Sequence, residues 1–140
     1  MRANLICRLM LLPMVMAPTL ANACPIVDAA ARFAEGQISD CGQKLKGAAL
    51  NSCVGEALSG LSSGVGASPL RDVSSQAPGP IATAASQLRA ADKGGAISAL
   101  NRARSVISGL AAQSSQASRD AYNRINQVFS RAISTINSKG

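Results

Sequence analysis

IATAASQLRAADKGGAISALNRARSVISGLAAQ, residues 81–113, reads as two consecutive helices. Ile81, Ala84, Ala85, Leu88 and Ala91 recur at three- and four-residue spacing, followed by Ala96, Ile97, Leu100, Ala103, Val106, Ile107, Leu110 and Ala111. That period puts each set on one helix face and leaves no strand alternation. Each stripe covers about a third of the circumference, the width needed for helix-on-helix packing. Lys93-Gly94-Gly95 predicts the stop between the helices, and so short a connection makes them antiparallel neighbours.

Toward the C-terminus, Ser114-Ser115 interrupts the pattern. Ala121, Tyr122, Ile125, Val128, Phe129, Ala132, Ile133 and Ile136 then predict a third helix, with Tyr122 and Phe129 in its core face. Toward the N-terminus, SSGVGASPLRDVSSQAPGP (62–80) is rich in Ser, Gly and Pro and reads as a mobile linker. Before it, one helical stripe runs through Ile26, Ala30, Phe33, Ala34, Ile38, Cys41, Leu45, Ala48 and Ala49, and continues through Cys53, Val54, Ala57, Leu58 and Leu61. Pro25 suits a first helical turn, Gly36 a helix end, and Ser39-Asp40 a new N-cap, which together predict a hairpin hinged near residues 36–39. Gly42, Gly47 and Gly55 weaken its second arm by about 1 kcal/mol each relative to Ala.

The expected fold is therefore all-α: a cysteine-containing helical hairpin over 24–61, a linker over 62–80, and an alanine-rich bundle of about three helices over 81–140. Its core is thin. The chain has no Trp, one Tyr and two Phe, and alanine buries little area per residue.

Residues 1–23 read as a secretory leader. Arg2 and Arg8 charge the start, Leu9–Leu20 is a short apolar stretch, and Ala21-Asn22-Ala23 precedes Cys24. That apolar stretch, broken by Pro13 and Pro18, falls short of the roughly 20 residues that span a bilayer. The expected address is the periplasm or the exterior of a bacterium. A Cys directly after a small residue also resembles a bacterial lipoprotein signal, which would make Cys24 a lipid anchor. The chain departs from that pattern in having Ala21, not Leu, three residues before the Cys.

Removal of Cys7 with the leader leaves Cys24, Cys41 and Cys53, an odd number. On one straight helix Cys41 and Cys53 would stand about 18 Å apart, far beyond the separation of about 7 Å that a disulfide tolerates. Pairing them requires a helix break, with Gly47 the available place, and leaves Cys24 for lipid. A hairpin turning near residue 38 instead favours Cys24–Cys53 and leaves Cys41 over.

Charge is uneven. Residues 24–80 balance Arg32, Lys44, Lys46 and Arg71 against Asp28, Glu35, Asp40, Glu56 and Asp72. Residues 81–140 carry Arg89, Lys93, Arg102, Arg104, Arg119, Arg124, Arg131 and Lys139 against Asp92 and Asp120 alone. Such a basic half attracts anionic surfaces, and Arg102, Arg104, Arg119, Arg124 and Arg131 are the candidate contacts. Aromatic interleaving for base stacking is missing, which argues against nucleic acid.

The chain has no His, so neither the commonest general base nor a Ser-His or Cys-His nucleophile pair can be assembled. Scattered carboxylates give no metal pattern, and Gly64-Val65-Gly66 lacks the context of a phosphate loop. No catalytic, cofactor or metal site is expected. The expected role is a small exported helical subunit that binds another protein or itself, in the manner of an accessory component of an envelope assembly such as a secretion or conjugation apparatus. Two other classes are a cationic membrane-active effector, with 117–139 as the active helix at a membrane surface, and a ligand-binding module with a small pocket between helices.

Overall fold

The computed structural model describes residues 25–139, and every regular element among them is a helix. In chain order they are α1 (Pro25–Lys44), α2 (Gly47–Gly66), the short α3 (Arg71–Gln76), α4 (Pro78–Ala90), α5 (Lys93–Ala112) and α6 (Gln116–Lys139). The leader and Cys24 lie outside the described residues.

The five long helices close a ring. α1 packs on α2, α2 on α4, α4 on α5, α5 on α6, and α6 returns to α1. The segments expected to fold separately, 24–61 and 81–140, thus share one core. Ile38, Leu50, Leu58 and Leu61 from the first half are buried with Ile81, Leu88, Leu100, Ile107, Tyr122, Phe129 and Ile136 from the second. Tyr122 and Phe129 are its only buried aromatics, and the remaining layers are Ala, Val, Leu and Ile.

The first hinge lies at residues 45–46 instead of the expected 36–39. α1 continues through Gly36 and Ser39-Asp40, because Ala34, Ile38 and Cys41 all face the core, and burial along that face outweighs a glycine penalty of about 1 kcal/mol. The chain turns at Leu45-Lys46. Gly47 has φ +61°, a left-handed conformation that only glycine adopts freely, and α2 starts there without a side-chain cap. That break brings the Cα atoms of Cys41 and Cys53 to 5.9 Å, and the two form a disulfide. The expected Cys24–Cys53 bridge is corrected accordingly: it presumed a turn near residue 38, and the true turn places Cys41 opposite Cys53.

Residues 62–80 are a second correction. α2 extends to Gly66 and buries Val65, and the rest of this segment is packed, not free: Leu70, Val73 and Ala77 are all buried. Ser68 Oγ accepts from the Leu70 N–H (3.1 Å), shaping the turn into α3. Pro78 then occupies the start of α4, where a missing N–H costs nothing. α3 is held at its other side by α6, since the Tyr122 hydroxyl donates to the Asp72 carbonyl (3.2 Å) and Ser118 Oγ donates to Asp72 Oδ1 (2.7 Å).

Gly94 and Gly95 also have a different role from the expected stop. They lie in the first turn of α5, whose N-cap is Asp92, with Oδ1 accepting from the Gly95 N–H at 2.8 Å. Buried Asn51 on α2 fixes this corner by donating from Nδ2 to the Ala91 carbonyl (3.0 Å).

Candidate functional site

One unfilled contact in the ring lies between α4 and α5. α4 turns Ala85 and Leu88 toward α2 and approaches it closely: a Cβ placed on Gly55 would stand 2.9 Å from the Ala85 carbonyl oxygen. With α4 drawn against α2 and joined to α5 by Ala91-Asp92 alone, the outer faces of α4 and α5 splay apart. The small side chains of Ala84, Ala99 and Ala103 do not fill the gap. A groove of about 320 Å³ results, walled by Pro80, Thr83 and Gln87 of α4 and by Arg102 and Val106 of α5.

Val106 is 49% exposed on this groove, although its spacing places it within the predicted core stripe. Ala96, Leu100, Ala103 and Ile107 define the inward line of α5, and Val106 sits about 100° off Ile107. Phe33 departs from its stripe for the same reason. It lies about 100° from Ala34 and is 69% exposed. These two are the large apolar side chains left in solvent among the described residues.

A second cleft of about 300 Å³ opens between α1 and α2 over the disulfide. Its walls are polar and acidic, with Gln37 and Asp40 on α1 and Ser52 and Glu56 on α2. Asp40 accepts from Lys44 (3.1 Å) on the surface, while Glu56 has no ion-pair partner among the described residues.

The arginines singled out as anionic contacts do not gather into one patch. Arg124 is held within the molecule. Its Nη2 and Nη1 donate to the two Glu35 oxygens (2.7 and 3.1 Å), and its Nε donates to Asp28 Oδ1 (2.9 Å), with 18% of the side chain exposed. The bond to Glu35, reinforced by Asp28, raises the guanidinium pKa against the opposing effect of burial. Arg131 stands 4.0 Å from the same Glu35, at the edge of this cluster. Arg119 donates to the carbonyls of Ala111 (3.4 Å) and Ser114 (3.2 Å), at the end of α5 where carbonyls lack helical partners. Arg104 lies on the α6 flank of α5, where its carbonyl accepts from Asn126 Nδ2 (3.3 Å). Arg102 alone of the five lines the α4–α5 groove, and it makes no ion pair among the described residues.

Pairing of Arg124 with α1 is the feature that sequence reasoning missed. Asp28 and Glu35, seven residues apart, lie on one flank of α1, and Arg124 and Arg131 show the same spacing on α6. Matching acidic and basic heptad pairs are a legible signal once the two helices are known to be neighbours.

The segment expected as the active helix at a membrane surface is part of the bundle. In 117–139 the apolar residues Tyr122, Ile125, Phe129 and Ile136 are buried in the bundle, so the face that would enter lipid faces the core instead. Among the described residues no helix is long and apolar enough to cross a membrane, and no three His, Cys, Asp or Glu side chains converge on one point. No protein-family model, curated protein or solved structure matches this chain.

Proposed function

We propose that this chain is an exported helical protein-interaction subunit of the bacterial envelope, and that the α4–α5 groove is its working surface. The observation that carries the reading is the groove itself: an alanine-lined floor, a half-exposed Val106 and, at one rim, Arg102 with no ion pair among the described residues. An aliphatic or aromatic side chain fits such a floor, and a neighbouring carboxylate completes Arg102, which is the pattern by which helix faces and grooves recognise protein segments. The leader motif of residues 1–23 supports export, and the Cys41–Cys53 bridge suits an oxidising compartment. That bridge leaves Cys24 as the odd cysteine of the exported chain, so acylation of Cys24 belongs to the proposal as its membrane-attached form. An accessory place in a secretion or conjugation apparatus is the setting that best suits its size and address.

The test is photo-crosslinking in living cells. A photoreactive phenylalanine analogue at Thr83 or Val106 is expected to give a discrete protein adduct in envelope fractions. The same analogue at Ser130, exposed on α6, is expected to give none. Adducts absent from both groove positions would remove the groove from the proposal. Intact mass of the exported protein reports whether Cys24 is the first residue and whether it carries lipid.

A further inference from the structure

Among the described residues, the two exposed large apolar side chains lie on different edges of the ring, one beside acidic residues and the other beside a basic one. Phe33 projects from α1 beside the acidic α1–α2 cleft, about 10 Å along the axis from Asp40 on the same helix flank. Across that cleft stands Glu56, which has no ion-pair partner among the described residues. Val106 lies in the α4–α5 groove one turn from Arg102, which likewise has none. One edge is therefore an exposed aromatic with carboxylates, of which Asp40 is already paired with Lys44, and the other is a concave floor of Ala84, Ala99 and Ala103 with a guanidinium.

From this complementarity we propose that the occupant of the α4–α5 groove is a second copy of this chain. Phe33 of one molecule seats over Ala103 and Val106 of the next, and Arg102 pairs with Glu56 of the incoming molecule, the carboxylate of that cleft without an ion-pair partner among the described residues. The proposal deepens the groove reading and rests on it. An exposed Phe33 loses water on seating, and burying a ring of this size contributes about as much as any single contact in a protein interface. Arg102 and the carboxylates set the orientation, and they repel the alternative in which two grooves or two acidic clefts face each other. Because donor edge and acceptor edge are different surfaces, the contact is heterologous: each bound molecule still presents a free edge, and copies add head to tail into a chain or a closed ring.

Mixing two variants tests this directly. The product of the full 140-residue chain, purified without reductant, is expected to show a weight-average mass that rises with concentration and falls with added salt. Phe33→Ser disables only the knob, and Val106→Asp disables only the groove. Each alone is expected to stay monomeric, with an unchanged melting temperature because both positions are exposed. Mixed, they retain one good edge each and are expected to form a dimer that stops at two copies. Arg102→Glu and Glu56→Arg are each expected to weaken assembly by about 10-fold or more, and the double variant to recover most of it. A wild-type chain that remains monomeric up to about 1 mM overturns the proposal. So does a mixture that yields no dimer, or an assembly that survives both apolar substitutions. If monomers still crosslink to another protein from Thr83 and Val106, self-association fails while the groove reading stands; if both assays are empty, both fail.

Discussion

The α2–α4 seam and the α4–α5 groove share one helix and are both built on small residues, Gly55 and Ala85 at the first and Ala84, Ala99 and Ala103 at the second. At the seam, Gly55 lets the α2 backbone approach the Ala85 carbonyl, and Leu88 is buried completely. At the groove, alanines at comparable positions leave about 320 Å³ unfilled and Val106 in solvent. The difference is one of geometry, not of composition. A small residue closes an interface only where the opposing backbone can move in, and α4 cannot approach both neighbours once it is committed to α2. The same alanine content thus gives stability on one side of α4 and an open surface on the other.

The sharpest way to break this comparison is a pair of truncations. Leu88→Ala is expected to lose about 3 kcal/mol in chemical denaturation, the cost of a cavity in a packed core, while Val106→Ala stays within about 0.5 kcal/mol. Equal losses would mean that the groove closes in solution. Next in size is Gly55→Ala, where the added methyl meets a backbone oxygen, not a flexible side chain, and about 1–3 kcal/mol should be lost. By contrast, a Cβ on Gly109 of α5 meets nothing within 4 Å, so Gly109→Ala should gain about 0.5–1 kcal/mol through helix propensity. A gain at both positions would show that the seam has slack.

Arg124→Met sharpens the comparison at a third contact, α1 with α6. It strips Asp28 and Glu35 of their shared partner in a partly exposed site and should cost about 1–2 kcal/mol, less at high salt. The smallest effect is alkaline. Burial raises the Tyr122 phenol above its ordinary pKa, aided by the nearby Asp72 carboxylate and opposed by a hydrogen bond with Ser114. The folded state therefore favours the neutral phenol. Its contribution is complete below the unfolded value of about 10 and is lost as pH rises through the raised value. Thermal melts of the wild type should fall in that window, and Tyr122→Phe should lower stability near neutral pH while flattening that decline.

Much of the architecture was legible from residue spacing. The inward lines of α5 and α6, the gap at Ser114-Ser115 and the helical start at Pro25 follow from period and from local backbone preference, which tertiary contacts leave in place here. Legibility failed where composition stood in for packing. Residues 62–80 look like a tether because Ser, Gly and Pro dominate them, yet a few well-placed apolar residues, Val65, Leu70, Val73 and Ala77, are enough to bury the segment. Gly36 resembles a terminator and is not one, whereas Gly47, readable as a weak point and as the break that a Cys41–Cys53 bridge requires, is the hinge. A glycine's local cost is similar at both, and only the tertiary demand for a left-handed residue at 47 separates them. Of the candidate surface, Arg102 was visible as a charge. Val106 and Phe33 were not, since a stripe of period 3.6 cannot say which of its edge members the neighbouring helix will cover.

Closure of the ring through α1 and α6 has a kinetic corollary. Asp28 and Glu35 wait for residue 124, so a chain delivered N-terminus first, from a ribosome or through a pore, cannot close this contact until about ninety further residues have emerged after Glu35. The Cys41–Cys53 bridge spans only 12 residues, so an oxidant can lock that local loop ahead of the long-range closure.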